Sequence, residues 1–359
     1  MNVTIADGAT TPDAAAAGGP DRPSRPRRDP TVATIARAWR RLTLRTPGQP
    51  APRRARGGGA PTLIACSGGA DSTALALALR ATTDRLALAH IVHDLRPRAD
   101  AEADRDAVRA LAQRLGLPFF EGRVVTRASG GNLEAVARRQ RYARLAELAA
   151  ANGYPFVATA HHADDQLESI VMALIRGAGP AGLRGVADHR ALPRGITLIR
   201  PMLSITRADA QRLCMLAGEV WRTDATNDDT TRLRAALRHG PLADIVRLRP
   251  QAPGRAARAA RLMADAATMI RARARAVFGE ALSWDRAALA AEPESVVGEG
   301  LRLAAERLIA DRRRDRLTAR RLDPVVAAIR DDSTEPRRFD WPGGLRILVG
   351  ARRVELIRQ

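Results

Sequence analysis

Short apolar runs alternate with amphipathic stretches of helical period through the middle of the chain. The apolar runs predict strands at residues 62–66, 85–92, 118–125, 155–160 and 196–203. Stretches with helical periodicity follow them at 72–80, 100–116, 132–153, 163–177 and 206–218. Such alternation is typical of a parallel sheet covered by helices on both faces. We therefore predict a doubly wound α/β domain, with its sites at the carboxyl ends of the strands.

The pattern changes on both sides of this domain. Residues 1–30 and 46–61 are rich in Ala, Gly, Pro and Arg and have no periodicity, which is typical of disorder. Between them, residues 31–45 could form one short amphipathic helix. The predicted domains are a disordered basic tail and linker over 1–60, the α/β domain over 61–240, and a smaller region over 241–359. This last region is expected to be mainly helical and to end in a small β element.

The charge of the chain comes from arginine. Its 359 residues include 59 basic and 39 acidic side chains, for a formal net charge of +20, and none is lysine. A Walker A phosphate loop and a Schiff-base enzyme both need a lysine, so these classes are excluded. A pI near 11.5 favours a polyanionic partner, with nucleic acid ahead of a membrane surface.

Cysteine usage and hydropathy indicate the compartment. Cys66 and Cys214 are far apart and form no metal-spaced set, which argues against a disulfide framework or a structural zinc site. No run approaches the roughly 18 apolar residues of a membrane helix. We expect a protein of the reducing cytoplasm without membrane contact.

The strongest local signal is the hexapeptide SGGADS at residues 67–72, between a predicted strand and a predicted helix. Its two glycines would let the backbone turn tightly and approach a phosphate. Amides at the helix N-terminus would then face the anion, and Ser67 and Ser72 could add hydroxyl donors. Asp71 would more plausibly hold Mg²⁺ or orient the loop. A plain strand–helix turn capped by serine is the alternative.

Other polar residues could belong to this site, and each has a plainer explanation. His161, Asp165 and Glu168 have the spacing of one helix face, where a carboxylate could help to bind Mg²⁺ or could simply interact with the helix dipole. Arg138 and Arg141, one turn apart, could clamp a phosphate or form a solvated face.

Two further groups are also open to more than one interpretation. His90 and His93 have a metal-ligand spacing, but no Cys or third His lies near them in sequence, so hydrogen-bonding or core roles are preferred. Asp224, Asn227 and Asp229 could contribute to a site or could form only an Asx-rich turn.

The hexapeptide resembles the SGGxDS loop of the PP-loop ATP pyrophosphatases, which cleave ATP between the α- and β-phosphates and adenylate a substrate oxygen. Further segments, in order, resemble those of the tRNA(Ile)-lysidine synthases, and together they cover residues 62–245. They are HIVHDLR at 90–96, GNLE at 131–134 followed by Ala137-Arg138 and Arg141-Tyr142, TAHHADDQLE at 159–168, RGAG at 176–179, RPML at 200–203, and DATNDD at 224–229 followed by Arg234 and Arg238. Val92 and Ala235 depart from the family pattern, which has Asn at both positions.

The resemblance implies an adenine nucleotide alpha hydrolase-like fold, a tRNA-binding role for residues 241–359, and a two-step reaction. ATP would adenylate the C2 carbonyl of the wobble cytidine in an isoleucine tRNA with a CAU anticodon. Free lysine would then attack, giving lysidine, AMP and pyrophosphate, with Mg²⁺ required. Another PP-loop tRNA-modifying enzyme, such as a thiolase, and a non-catalytic RNA-binding relative are the alternatives.

The matching positions imply roles for individual residues, and a homodimer is left open. The implied catalytic residues are Asp71, Asp165, Arg138 and Arg234. The implied ATP-binding residues are Ser67, Gly68, Gly69, Ala70, Asp71, Ser72, His90, Arg96 and His161. The implied Mg²⁺ ligands are Asp71 and Asp165.

Overall fold

The computed structural model describes residues 28–44, 59–94, 98–125, 133–222, 233–309 and 317–358. Most of the predicted tail and linker, at 1–27 and 45–58, lies outside the described residues. Within the described chain, none of the helices combines the length and the apolar character needed to span a membrane.

A six-stranded sheet organises the first part of the chain. Its strands are β1 Thr62–Ala65, β2 Leu86–His93, β3 Phe119–Val124, β4 Phe156–Ala158, β5 His189–Ala191 and β6 Thr197–Ile199. Their order is β3-β2-β1-β4-β6-β5, and only β5 runs antiparallel to its neighbour. The parallel α/β sheet is therefore confirmed, with the exposed edge strand β5 as an unpredicted addition. Since β2 and β4 flank β1 on opposite sides, the carboxyl end of β1 lies at the topological switch point.

Helices cover both faces of this sheet. The helices of this part of the chain are α1 Pro30–Leu44, α2 Ala70–Arg80, α3 Arg98–Leu115, α4 Leu133–Ala151, α5 Ala163–Ile175, α6 Pro180–Leu183, α7 Arg207–Leu216 and α8 Leu233–His239. Residues of α1, α2, α3 and α7 pack in the core on one face and residues of α4 in the core on the other. Successive strand residues alternate between two cores, as strand geometry requires. Ile64 packs with α2 and α7, whereas Leu63 packs with Leu145 of α4 on the other face.

Helix α1 belongs to the core of the sheet. Its buried positions recur at helical spacing, and Ile35 and Trp39 are fully buried with residues of α2 and α7. The indole Nε1 of Trp39 donates to Thr62 Oγ1 over 3.0 Å, which ties the helix to the start of β1. The short helix expected within 31–45 is therefore present, and its apolar face explains why it packs on the sheet domain.

The remainder of the chain forms a second core. Its elements are α9 Pro241–Leu248, α10 Ala252–Phe278, β7 Ser283–Asp285, α11 Arg286–Ala290, α12 Glu294–Leu308, α13 Ala319–Arg330, β8 Arg337–Trp341, β9 Leu345–Val349 and β10 Arg353–Arg358. The four strands form an antiparallel sheet in the order β7-β10-β9-β8, in which β9 and β10 make the expected hairpin. The 27-residue helix α10 contacts α5 and α6 as well as α12, so it connects the two cores.

Candidate active site

The loop at residues 67–72 is folded around the Ser72 hydroxyl. This oxygen accepts the Ser67 backbone N–H over 3.2 Å and donates to the Gly69 carbonyl over 3.0 Å. Gly68 has φ +89°, a conformation that strains any residue with a Cβ. Gly69 caps α2, so the loop leads directly into a helix N-terminus, where backbone amides favour an anion.

A cavity of about 490 Å³ lies at the carboxyl ends of β1, β2 and β4. Most of the predicted site residues line it: Ser67, Gly69, Ala70, Asp71, Ser72, His90, His161 and Asp165. Arg141 and Arg238 also line the cavity, and so does Val92, which departs from the family pattern. Arg96 and the 224–229 segment lie outside the described residues. The structure therefore brings these residues, from five separate stretches of the chain, to one opening.

Asp71 is poised for a ligand. Its Oδ1 is buried and has no hydrogen-bond partner within the described chain, while its Oδ2 lies 3.4 Å from His162 Nε2. A buried carboxylate oxygen without a partner is costly, and hard cations such as Mg²⁺ prefer oxygen ligands. Asp71 therefore fits a magnesium site.

Both carboxylate oxygens of Asp165, unlike Oδ1 of Asp71, have hydrogen-bond partners within the protein. Its Oδ2 accepts the His162 backbone N–H over 3.0 Å, and its Oδ1 lies 3.3 Å from Arg234 Nη2. No cluster of three or more potential metal ligands occurs in the described ranges. A Mg²⁺ ion here would take its other ligands from phosphates and water, as this ion often does.

His162 stands between the acidic side chains. Its Nδ1 lies 3.3 Å from Asp164 Oδ2, and its Nε2 lies 3.4 Å from Asp71 Oδ2 and 3.7 Å from Asp165 Oδ2. Burial lowers the pKa of His162, but hydrogen bonds to Asp164 and Asp71 outweigh it and raise the pKa to about 10. His162 was not predicted, because it lies one position off the spacing shared by His161, Asp165 and Glu168.

His161, by contrast, is neutral. Its Nδ1 lies 3.0 Å from Thr159 Oγ1 and its Nε2 lies 3.4 Å from Arg138 Nη2. Since a guanidinium can only donate, Nε2 accepts and Nδ1 carries the proton. Burial lowers the pKa of His161 to about 3.

His90 has the hydrogen-bonding role that was preferred to metal binding. Its Nδ1 lies 2.9 Å from the Cys66 carbonyl oxygen, which can only accept, so Nδ1 carries a proton. Burial lowers the pKa of His90, so the ring is neutral, with Nε2 free of a proton. It connects β2 to the residue that enters the loop.

Arg138 and Arg141 are gathered around the buried Tyr142. Their guanidinium carbons lie 5.5 and 5.4 Å from the ring centroid, and that of Arg190, on β5, lies 4.4 Å away. These are cation–π distances. Both arginines are exposed to solvent, and of the two only Arg141 lines the cavity.

Glu168 anchors α8 to the site. Its buried carboxylate accepts from Arg234 Nε over 2.7 Å and from Arg238 Nη2 over 3.0 Å. Burial raises the pKa of Glu168, but the hydrogen bonds from Arg238 and Arg234 outweigh it, so the pKa is below its ordinary value of 4.5. This residue shares a helix face with Asp165 as predicted, yet its contacts are arginines.

We expect Glu168→Gln to destabilise the fold by about 2 kcal/mol at neutral pH, because hydrogen bonds to charged groups are lost. A lowered folded-state pKa contributes stability above the unfolded value and loses it as pH falls through the folded value. The difference from wild type should therefore shrink below about pH 4.5. Urea unfolding at pH 7 and pH 3 measures this difference in stability. Glu147→Gln, at a partly exposed position, is the control. A difference that persists unchanged at pH 3 would contradict the assignment.

Two more residues close over the loop and were not predicted. The Arg222 backbone N–H donates to the Gly68 carbonyl over 3.0 Å, and its guanidinium pairs with the buried Asp104 of α3. Cys214 of α7 donates to the Ala70 carbonyl over 3.3 Å. These residues carry no local signal, since their role depends on contacts more than 100 residues apart in the chain.

The parallel sheet and the loop at its switch point define a PP-loop nucleotide-binding protein. A family model described as a PP-loop domain matches residues 54–243. A tRNA(Ile)-lysidine synthase of Salinispora arenicola is 38% identical over 241 residues, which cover 66% of this chain and 68% of that protein. The chain therefore belongs to the tRNA(Ile)-lysidine synthase family, as the sequence motifs predicted.

Other relatives match a smaller share of their own length. The tRNA(Ile)-lysidine synthase of Thermus thermophilus is 40% identical over 182 residues, which cover 50% of this chain and 34% of that protein. The chain thus spans about a third of the length of that relative. Among solved structures, the U34-tRNA thiolase NcsA from Methanococcus maripaludis has 15% identity and a TM-score of 0.49, covering 65% of this chain and 77% of that one.

Proposed function

We propose that the protein is an ATP-dependent ligase that attaches free lysine to C2 of the wobble cytidine in an isoleucine tRNA with a CAU anticodon. The observation that carries the proposal is that Oδ1 of Asp71 has no hydrogen-bond partner among the described residues and lies beside a complete PP-loop in an open cavity. Family membership supports the identity of the acceptor. The free, buried cysteines fit a reducing compartment, so we place the reaction in the cytoplasm.

The reaction has two balanced steps. In the first, O2 of the cytidine attacks the α-phosphorus of ATP, the bond to the β-phosphate breaks, and pyrophosphate leaves. In the second, an amine of lysine attacks C2, the C2–O bond breaks, AMP leaves with that oxygen, and the amine loses a proton. The lysine that reacts is a free substrate, so a chain that contains no lysine residue can still catalyse the reaction.

The residues of this chain would bind and orient the reactants. The proposed ATP-binding residues are Ser67, Gly68, Gly69, Ala70, Asp71, Ser72, His90, Arg96 and His161. Mg²⁺ bound by Asp71 and Asp165 would neutralise phosphate charge. Arg138 and Arg234 lie 3.4 Å from His161 and 3.3 Å from Asp165, respectively, two residues that line the cavity. In the proposed reaction their guanidiniums would offset the charge that develops on the leaving groups.

The alternative activity, thiolation of a tRNA, is not supported by the two cysteines. Both Cys66 and Cys214 are buried, and burial raises the pKa of Cys66 and raises that of Cys214 to about 12. Sulfur chemistry at a cysteine needs the thiolate, and burial in an apolar core disfavours it.

Lysine incorporation tests the proposal. The full chain, incubated with ATP, Mg²⁺, labelled lysine and the CAU-anticodon tRNA transcript, should transfer label to the tRNA. Mass analysis of the digested nucleosides should show cytidine plus lysine minus water, and a transcript with guanosine at the wobble position is the control. Pyrophosphate release without lysine in the tRNA, or a thiolated nucleoside when a sulfur donor is supplied, would reject the proposal.

A further inference from the structure

We propose that a groove along α10 binds the phosphate backbone of the tRNA, away from the reacting base. This groove, the α10 groove, has a volume of about 950 Å³. Helix α10 forms one wall, and α1, α6 and the segments 184–188 and 200–204 form the other. That the RNA is a tRNA rests on the proposed function, whereas the location of the groove does not.

The α10 groove carries uncompensated positive charge. Eight arginines line it, against two aspartates and one glutamate. Some of the arginines are neutralised: Arg41 pairs with Asp188 at 3.1 Å, and Arg302 pairs with Glu299 at 2.6 Å. Four others have no acidic partner within the described chain; they are Arg184, Arg258, Arg261 and Arg275. Their charge is available to an external anion.

The arginines of α10 follow one face of a long helix. Positions 257, 261, 264, 268, 271 and 275 line the groove at steps of three and four residues, the spacing of a helix face. The arginines on this face are Arg261, Arg271 and Arg275, which span about 21 Å at 1.5 Å per residue, and Arg258 lies one position from the face. A row of arginines of this length fits an extended polyanion better than a single small anion.

The floor and the chemistry of the groove favour an RNA backbone. Small side chains such as Ala257, Ala264 and Ala267 line the floor, which lets a backbone approach the guanidiniums closely. None of the described residues that line the groove is aromatic, so these residues offer no ring on which a base could stack. Guanidiniums bind phosphate oxygens bidentately, and contacts of this kind position an RNA without reading its sequence.

Asp265 is an acidic residue of the α10 groove and would weaken the binding of a phosphate backbone, so its substitution gives a second test. It lines the same face of α10, between Arg261 and Arg271, and has no basic partner in the described residues. A carboxylate at this position repels a phosphate backbone. The α10 groove therefore contains residues whose substitution should change RNA affinity in opposite directions.

Binding of fluorescently labelled tRNA without ATP or lysine tests the inference, by anisotropy over a salt series. The double variant R258E/R275E should bind about tenfold more weakly or worse, with a salt slope lower by about 2, since each lost phosphate contact lowers it by about 1. Asp265→Asn should bind two- to threefold more tightly. The control R320E/R321E makes the same charge change on exposed arginines of α13 and should change affinity less than threefold.

Three results would overturn the inference: unchanged affinity of R258E/R275E, equal weakening by R320E/R321E, or competition by polyglutamate as effective as by unlabelled tRNA. Misfolding cannot imitate the expected result, because Asp265→Asn must gain affinity. Lysine incorporation is scored separately at saturating tRNA. Weakened RNA binding by the groove variants, together with no lysine incorporation by the wild type, would keep the groove and reject the proposed function.

Discussion

Asp71→Asn lowers pyrophosphate release from ATP by about a thousandfold and leaves tRNA affinity close to that of the wild type. Losing a charged group that binds a catalytic metal removes several kcal/mol of transition-state stabilisation, and a thousandfold is about 4 kcal/mol. Asn keeps the size of the side chain, so the loop around Ser72 should stay folded. The partner His162 would lose one of its three nearby carboxylates.

Measured pyrophosphate release at saturating ATP and tRNA checks this result, with Asp84→Asn as the matched control. Asp84 follows the other end of α2, where it pairs with Arg80. The control should keep its activity within about twofold, because surface ion pairs contribute little. Normal pyrophosphate release by Asp71→Asn would refute the site. A wild type that binds tRNA but releases no pyrophosphate would instead favour the non-catalytic RNA-binding relative.

Arg286→Met destabilises the second core by about 4 kcal/mol. The Arg286 side chain is buried, and its guanidinium donates to the carbonyls of Ala328, Ile329 and Asp331 over 2.8, 3.1 and 2.6 Å. It also pairs with the Asp331 carboxylate at 2.9 Å. Methionine would fill the space but would leave these buried acceptors unsatisfied, and breaking such a buried network typically costs 3–5 kcal/mol.

Hydrogen exchange of the C-terminal half of α13 and of strands β8 to β10 measures this effect locally. Arg330→Met is the control, because Arg330 also donates to carbonyls, those of Ala290 and Glu292, but at an exposed position. Its effect should stay near 1 kcal/mol, the usual net value of one hydrogen bond. Equal protection in Arg286→Met and the wild type would show that Arg286 does not hold this core together.

The central strands β1, β2 and β4 were predictable because most of their residues are buried, whereas the edge strand β3 is mostly half-buried. Five short apolar runs lie where β1, β2, β3, β4 and β6 occur, since a strand covered by helices needs no polar residues. β5 could not be found in this way. Its three residues are exposed, and it is defined by pairing with β6 at the sheet edge rather than by an apolar pattern.

The candidate site was predictable where its residues are contiguous. The loop at 67–72 and the acidic start of α5 carry local signals, because a phosphate loop needs glycines and a helix start tolerates acids. The pairing of Glu168 with Arg238 and that of Arg222 with Asp104 span 70 and 118 residues. Spacing rules apply within one helix or strand, so they cannot detect pairs of this kind.

The sequence by itself determined the family, the class of fold and the PP-loop, because these follow from local patterns of apolar residues, glycines and motifs. Tertiary structure alone decided the protonation of the two adjacent histidines, since His162 is surrounded by carboxylates whereas His161 lies between Thr159 and Arg138. It also decided which arginines of α10 have an acidic partner within the described part of the chain. Charge state and ion pairing depend on burial and on neighbours distant in the chain, and a one-dimensional pattern does not record either.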